Sequence, residues 1–113
     1  MYMPDKITLL SVQHWDPASD GELNEDGLCR KLEVLGYTCH LYRYEPGTCF
    51  ADHTHNVDKI DAVLSGRFLI GSGTESVILA AGDWVHVPAG LVHHAEVVGM
   101  EPVLSLDAIR TCA

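Results

Sequence analysis

The chain has 113 residues, enough for one domain and too few for a second core of ordinary size. Seven basic against sixteen acidic residues leave a net charge of −9, which argues against nucleic acid or an anionic membrane face as partner. Hydrophobic residues make up 47% of the chain and charged ones 20%, a globular composition, and no apolar run approaches the roughly 20 residues that span a bilayer.

Met1 to Leu10 lacks a basic start, a long apolar stretch and a small-residue cleavage site, so a cytoplasmic location is expected. Cys29, Cys39, Cys49 and Cys112 form no CxxC pair and are expected to stay reduced. Ile7 to Gln13 is apolar and β-prone and predicts a strand. Asp16 to Asp26 carries five acids and no base, and reads as a solvated loop. One short helix follows. Asn24 is its cap, Glu25 and Asp26 suit its positive end, Leu28, Leu32 and Leu35 form its apolar stripe, and Gly36 is its left-handed stop. Gly27 costs that helix about 1 kcal/mol relative to alanine.

From Tyr37 the rhythm turns to short strands broken by turn residues. They are read at residues 37–45, 48–53, 60–64, 67–70, 76–79, 84–87, 91–98 and 102–108, with a turn at Gly71-Ser72-Gly73. Eight or nine such strands predict a mainly β architecture, a sandwich or a barrel, the barrel having the advantage of leaving no edges.

Four of the seven histidines fall into two tight groups. His53 and His55 are two apart near a strand end and so share a face, which would also hold Cys49 and Ala51, with Phe50, Asp52 and Thr54 on the other. Two neutral imidazoles on one face make half of a metal site. His93 is a third, projected by the rigid Pro88-Ala89-Gly90 turn. His94 faces the opposite way and reads as a surface residue. His86 reads as structural, at a barrel face or dimer contact, and His14 as a cover for one barrel end; His40, Tyr42 and Tyr44 share one strand face and could line a pocket, ordinary packing being the preferred reading.

Gly47, five residues, His53-Thr54-His55, three residues, Lys59, six residues and Gly66 resemble the first motif of the cupin superfamily. Gly82, five residues, Pro88-Ala89-Gly90, two residues and His93 resemble its second. The resemblance implies a single domain over 1–113: an N-terminal strand, acidic loop, helix and lead-in strand to residue 46, a two-motif jelly-roll barrel over 47–98, and a closing strand and tail over 99–113. It also implies a divalent transition metal (iron, nickel, zinc or manganese) held by His53, His55 and His93, and a homodimer.

Two positions depart from the family pattern. Lys59 stands where the family has the glutamate that serves as fourth ligand, and Val97 where the second motif often has asparagine. An ammonium has no free electron pair for a metal, which leaves a three-histidine site of the kind found in thiol and diketone dioxygenases of the superfamily. Asp61, two residues beyond Lys59 on the same strand, could reach the metal directly or through water. The preferred reading is that it pairs with Lys59. Lys59 and Asp61 are thus the candidate catalytic residues, and a Lys59 reaching the mouth would favour an anionic substrate. The first functional reading is an Fe(II)-type oxygenase acting on a small polar or anionic molecule. The alternatives are a non-catalytic small-ligand or metal-binding module, and a metal-independent isomerase or epimerase, which would need a His–Asp or Tyr–His dyad in the barrel mouth.

Overall fold

Nine strands and two short helices make up the computed structural model, in which residues 9–111 are described. In chain order they are β1 (Val12–His14), α1 (Pro17–Asp20), α2 (Glu25–Val34), β2 (Tyr37–Tyr44), β3 (Cys49–His53), β4 (Lys59–Ser65), β5 (Phe68–Ser72), β6 (Glu75–Leu79), β7 (Asp83–Val87), β8 (His93–Val97) and β9 (Val103–Arg110). The strands form two antiparallel sheets, ordered β1-β7-β4-β9-β2 and β3-β8-β5-β6. This is the expected mainly β, jelly-roll architecture. Of the strand expected over 7–13, residues 12 and 13 lie in β1, and Ile7 and Thr8 fall outside the described residues.

Alternation along β7 and β4 explains why there are two cores. Val85 and Val87 point between the sheets with Val63, Ile70, Leu79, Ala95, Val97 and Val103, while Trp84 points the other way with Ile60, Ala62, Leu106 and Ala108. Helix α2 covers this second, outer face of the five-stranded sheet with Leu28 and Leu32, both fully buried. Each such leucine contributes about 1.5–3 kcal/mol by leaving water. The Asn24 side chain accepts from Gly27 N at 2.7 Å, as its cap role requires, and Gly36 takes φ +96° just past the helix end. Leu35 is the exception to the expected stripe. It lies at the C-cap and is 52% exposed, because the helix has already ended. Gly27 has a packing reason: a Cβ there would sit 3.1 Å from the Trp15 ring.

The acidic stretch is more than a loop, so the described residues hold two helices where one is expected. Asp16 caps a single turn, α1, accepting from Ala18 N at 3.1 Å and from Ser19 Oγ at 2.7 Å, with Pro17 at its start. Lys31 ties that turn to α2 through Asp20, at 2.6 Å, while lying over the Trp15 and Trp84 rings.

The barrel mouth depends on two strand details. Between Phe50 and His53 the pairing of β3 with β8 slips by one residue: Phe50 faces Ala95 and His53 faces His93. This bulge reverses the expected alternation, since two consecutive residues oppose one. Phe50 consequently shares the inner face with His53, and Cys49 is exposed on the outside, 3.9 Å from Glu96 Oε2. Secondly, Gly71 is not in a turn. It lies inside β5, paired with His94 on one side and Ser76 on the other.

Candidate metal centre

His53 ends β3, His55 lies two residues on in the connection to β4, and His93 starts β8. Cross-strand pairing sets His53 directly against His93, with ring centroids 4.3 Å apart, and His55 closes the group at 4.8 and 5.2 Å. One ring nitrogen from each lies within 4.8 Å of the others. The three expected ligands therefore meet at one point. His93 is 3% exposed, while His53 and His55 are half-buried.

Two backbone carbonyls set the tautomers. Nδ1 of His53 lies 2.6 Å from the Ala51 oxygen and Nδ1 of His93 2.9 Å from the Leu91 oxygen. A carbonyl only accepts, so each Nδ1 carries the proton and each Nε2 keeps its lone pair. Burial, together with nearby positive charge, lowers the pKa of His55 and of His93, which favours the neutral rings a metal needs. The donor set therefore fits a divalent transition metal. Three neutral nitrogens leave coordination positions free, the arrangement of a site that binds a further molecule.

The rings open into a cavity of about 160 Å³ between the sheets. Tyr44, Phe50, Phe68 and Ala95 line its apolar side. Tyr44 packs against Phe50 and Phe68 at 5.1 and 5.3 Å between centroids. Lys59, Asp61 and Asp107 line the polar side.

The expected Lys59–Asp61 pair does not form. Lys59 Nζ instead lies 2.8 Å from Asp107 Oδ1 and 2.9 Å from its Oδ2. The register explains this: Lys59 on β4 pairs with Ile109 on β9, and Asp61 pairs with Asp107 itself, so the two carboxylates oppose each other and the one lysine is held by Asp107. Asp61 is left with no hydrogen bond or ion pair among the described residues. Burial first, then the Asp107 charge, push its carboxyl up to about 6 against the pull of Lys59.

The sequence does not point to Asp107, Phe50 or Phe68 as cavity residues, although Tyr44 lies on the strand face that could line a pocket. One signal was available: Asp107 shares the inward parity of the buried Val103 and Ser105 on β9. The remaining histidines stay outside the cavity. His14 bonds Asp83 at 2.6 Å, His86 lies 3.9 Å from Asp58, and His94 lies 3.2 Å from Asp52. His40 is exposed, whereas Tyr44 on the same strand reaches the cavity wall.

Two facing antiparallel sheets with a histidine cluster in the mouth define the cupin class of small β-barrel proteins. The Cupin domain family matches residues 40–109, and the chain belongs to that family. It is similar to an uncharacterized protein of Streptomyces coelicolor, 40% identical over 70 residues that span 62% of this chain and 67% of the relative. Among solved structures it resembles TT1209 from Thermus thermophilus, at 30% identity and TM-score 0.57, over 63% of this chain and 69% of that one. A cupin-2 domain containing protein from Shewanella frigidimarina aligns over 85% of this chain and 80% of its own, at 24% identity and TM-score 0.56. Among the described residues, no helix is long and apolar enough to cross a membrane.

Proposed function

We propose that this cupin is a metal-dependent enzyme of the oxygenase type, acting on a small polar or anionic molecule at a centre held by His53, His55 and His93. The reading rests on one observation above all: three imidazoles converge within 4.8 Å, two of them with Nδ1 tied back to a carbonyl, at the mouth of a cavity with both apolar and polar walls. A divalent ion such as iron(II), when bound, would supply Lewis acidity and the capacity to bring a substrate and dioxygen together.

The chain supplies the rest. Tyr44, Phe50 and Phe68 exclude water from one side of the cavity and hold an apolar part of the substrate. Asp61 offers the free carboxylate, placed to accept a hydrogen bond or a proton from the bound molecule. Lys59, already neutralised by Asp107, fixes the polar wall and adds little net charge, so attraction for an anion falls to the metal. The cavity volume suits a substrate of about ten non-hydrogen atoms. The metal-independent isomerase alternative would need a His–Asp or Tyr–His dyad in the cavity; the His–Asp hydrogen bonds His14–Asp83 and His94–Asp52 lie outside it. A homodimer is also proposed, on family grounds, and light scattering on the purified protein tests it.

Elemental analysis of the purified protein and of His53→Ala and His93→Ala tests the site, and oxygen uptake with small thiols, diketones and hydroxy acids tests the reaction. Metal in the parent that is lost from both variants is the expected result. Equal metal content in all three sinks the assignment. Metal binding without oxygen consumption or product would favour the non-catalytic binding module.

A further inference from the structure

We infer that Asp52, His94 and Gly71, on the outside of the four-stranded sheet, form a strap that positions His53 and His93 for metal binding. The inference rests on the metal reading above and concerns residues that do not themselves face the cavity.

Gly71 is the starting point. It lies inside β5, one residue before its end, where glycine weakens a strand, and its backbone is not among those with positive φ. Conformation therefore does not require glycine there. Space does: a Cβ on Gly71 would overlap Nε2 and Cε1 of His94, its partner across the β5–β8 ladder. The His94 ring thus lies against the β5 backbone in the place a side chain would take.

The same ring reaches the other way. Its Nδ1 is 3.2 Å from Asp52 Oδ1 on β3. One side chain thereby spans β5, β8 and β3. Its two anchors matter because of their neighbours: Asp52 directly precedes the ligand His53, and His94 directly follows the ligand His93. The Asp52 end also falls within the bulge between Phe50 and His53, the irregularity that turns His53 inward. A bulged strand has an unpaired residue and can slip, and a slip of one residue would turn His53 out of the cavity. A bond across the back of the bulge holds the register in which His53 and His93 oppose each other.

An exposed His–Asp pair ordinarily contributes little, and the chain carries such a pair to serve as a control. His14 and Asp83 lie 2.6 Å apart with His14 largely exposed, and neither neighbours a ligand. The experiment titrates cobalt(II) into the metal-free parent, His94→Ala, His94→Gln, Gly71→Ala, the double variant His94→Ala/Gly71→Ala, and His14→Ala. It reads affinity by chelator competition and geometry from the visible cobalt spectrum, with circular dichroism reporting the fold.

His94→Ala and Gly71→Ala should each weaken cobalt binding about tenfold and alter the spectrum with the fold kept. His94→Gln, which can still bond Asp52, should restore most of the affinity, and His14→Ala should match the parent. Gly71→Ala should cost nothing further once His94 is alanine, since the overlap is gone. Should Gly71→Ala fail to fold, the two His94 variants carry the test. Parent-like affinity and spectrum in His94→Ala overturn the strap while leaving the metal centre standing. A parent that binds no cobalt overturns both.

Discussion

Two carboxylates and one lysine share the polar wall, and their unequal environments make separate predictions. Asp61 carries a pKa raised from 3.8 to about 6 by burial and by Asp107. Its folded form binds a proton more tightly than its unfolded form does. Its contribution to stability is therefore fully present below pH 3.8 and is lost as the pH rises through 6. His55 and His93 act in the opposite sense, since their lowered pKa values give stability above 6.5 that is lost on acidification. Comparing Asp61→Asn with the parent isolates the carboxyl. In the metal-free protein the substitution should stabilise at pH 7.5, by on the order of 1–2 kcal/mol once solvent in the cavity is allowed for, and should add almost nothing at pH 4. Urea unfolding at the two pH values checks this, and an equal gain at both would mean that Asp61 does not carry the burden. Lys59 and Asp107 form a mostly buried pair, with side chains 13% and 19% exposed. Asp107→Asn takes from Lys59 its bonded carboxylate and leaves it only the nearby Asp61, so it should cost less than the roughly 3 kcal/mol of a lone buried cation, and Lys59→Glu, which places three carboxylates together, at least that much. Replacing both by Met and Leu should come close to neutral. Thermal melts of the single and double variants decide between a pair that is strained by loss of one member and a pair with no interaction. This wall was only half legible. Lys59 and Asp61 are visible as adjacent same-face charges on one strand, but their partner lies on β9, and no local pattern fixes which strand lies beside β4.

At the scale of the element, punctuation was easier to read than pairing. The cap at Asn24, the stop at Gly36 and the turns that separate β2 from β9 are local, each decided by the backbone chemistry of one or two residues. The bulge in β3 is not local. It exists because β8 presents one residue where β3 presents two, so period-two alternation put Cys49 inside and Phe50 outside, the reverse of their places. His53 still faces inward beside His93, because the family spacing that singles it out carries the bulge implicitly. Gly71 reads as a turn residue for a similar reason: glycine beside Ser72-Gly73 looks like a turn unless the histidine that needs its space is known. Helix α2 shows how an element's worth depends on its partner face. Its length of 10 residues would leave it marginal alone, so its stability comes from Leu28 and Leu32 on the sheet. Leu32→Ala should cost about 2–5 kcal/mol and Asn24→Ala about 1 kcal/mol, whereas Leu35→Ala, at an exposed C-cap, should cost under about 1 kcal/mol. Denaturant midpoints measure all three. A Leu32→Ala as mild as Leu35→Ala would mean that the helix does not cover the sheet.

Across the whole molecule, the two sheets divide the labour of the site. His53 and His93 belong to the four-stranded sheet and His55 to the connection leaving it, while Lys59, Asp61 and Asp107 belong to the five-stranded sheet. Only the packing of Val63, Ile70, Val85 and their neighbours between the sheets brings the two sets to one cavity. The metal group draws on β3, β8 and the connection, segments that are adjacent only in the folded state, so an ion bound there favours folded over unfolded chain by mass action. Free metal at a hundredfold its dissociation constant adds about 2.7 kcal/mol. For a chain of 113 residues that corresponds to a rise in melting temperature of roughly 10 °C. The rise should grow with the logarithm of metal concentration, reverse on adding a chelator, and vanish in His55→Ala, whose ring completes the group without holding any strand in place. Melting curves over a metal titration test this directly. A rise that persists in His55→Ala would place the stabilising ion somewhere other than the three imidazoles, for instance on the acidic surface that a net charge of −9 provides.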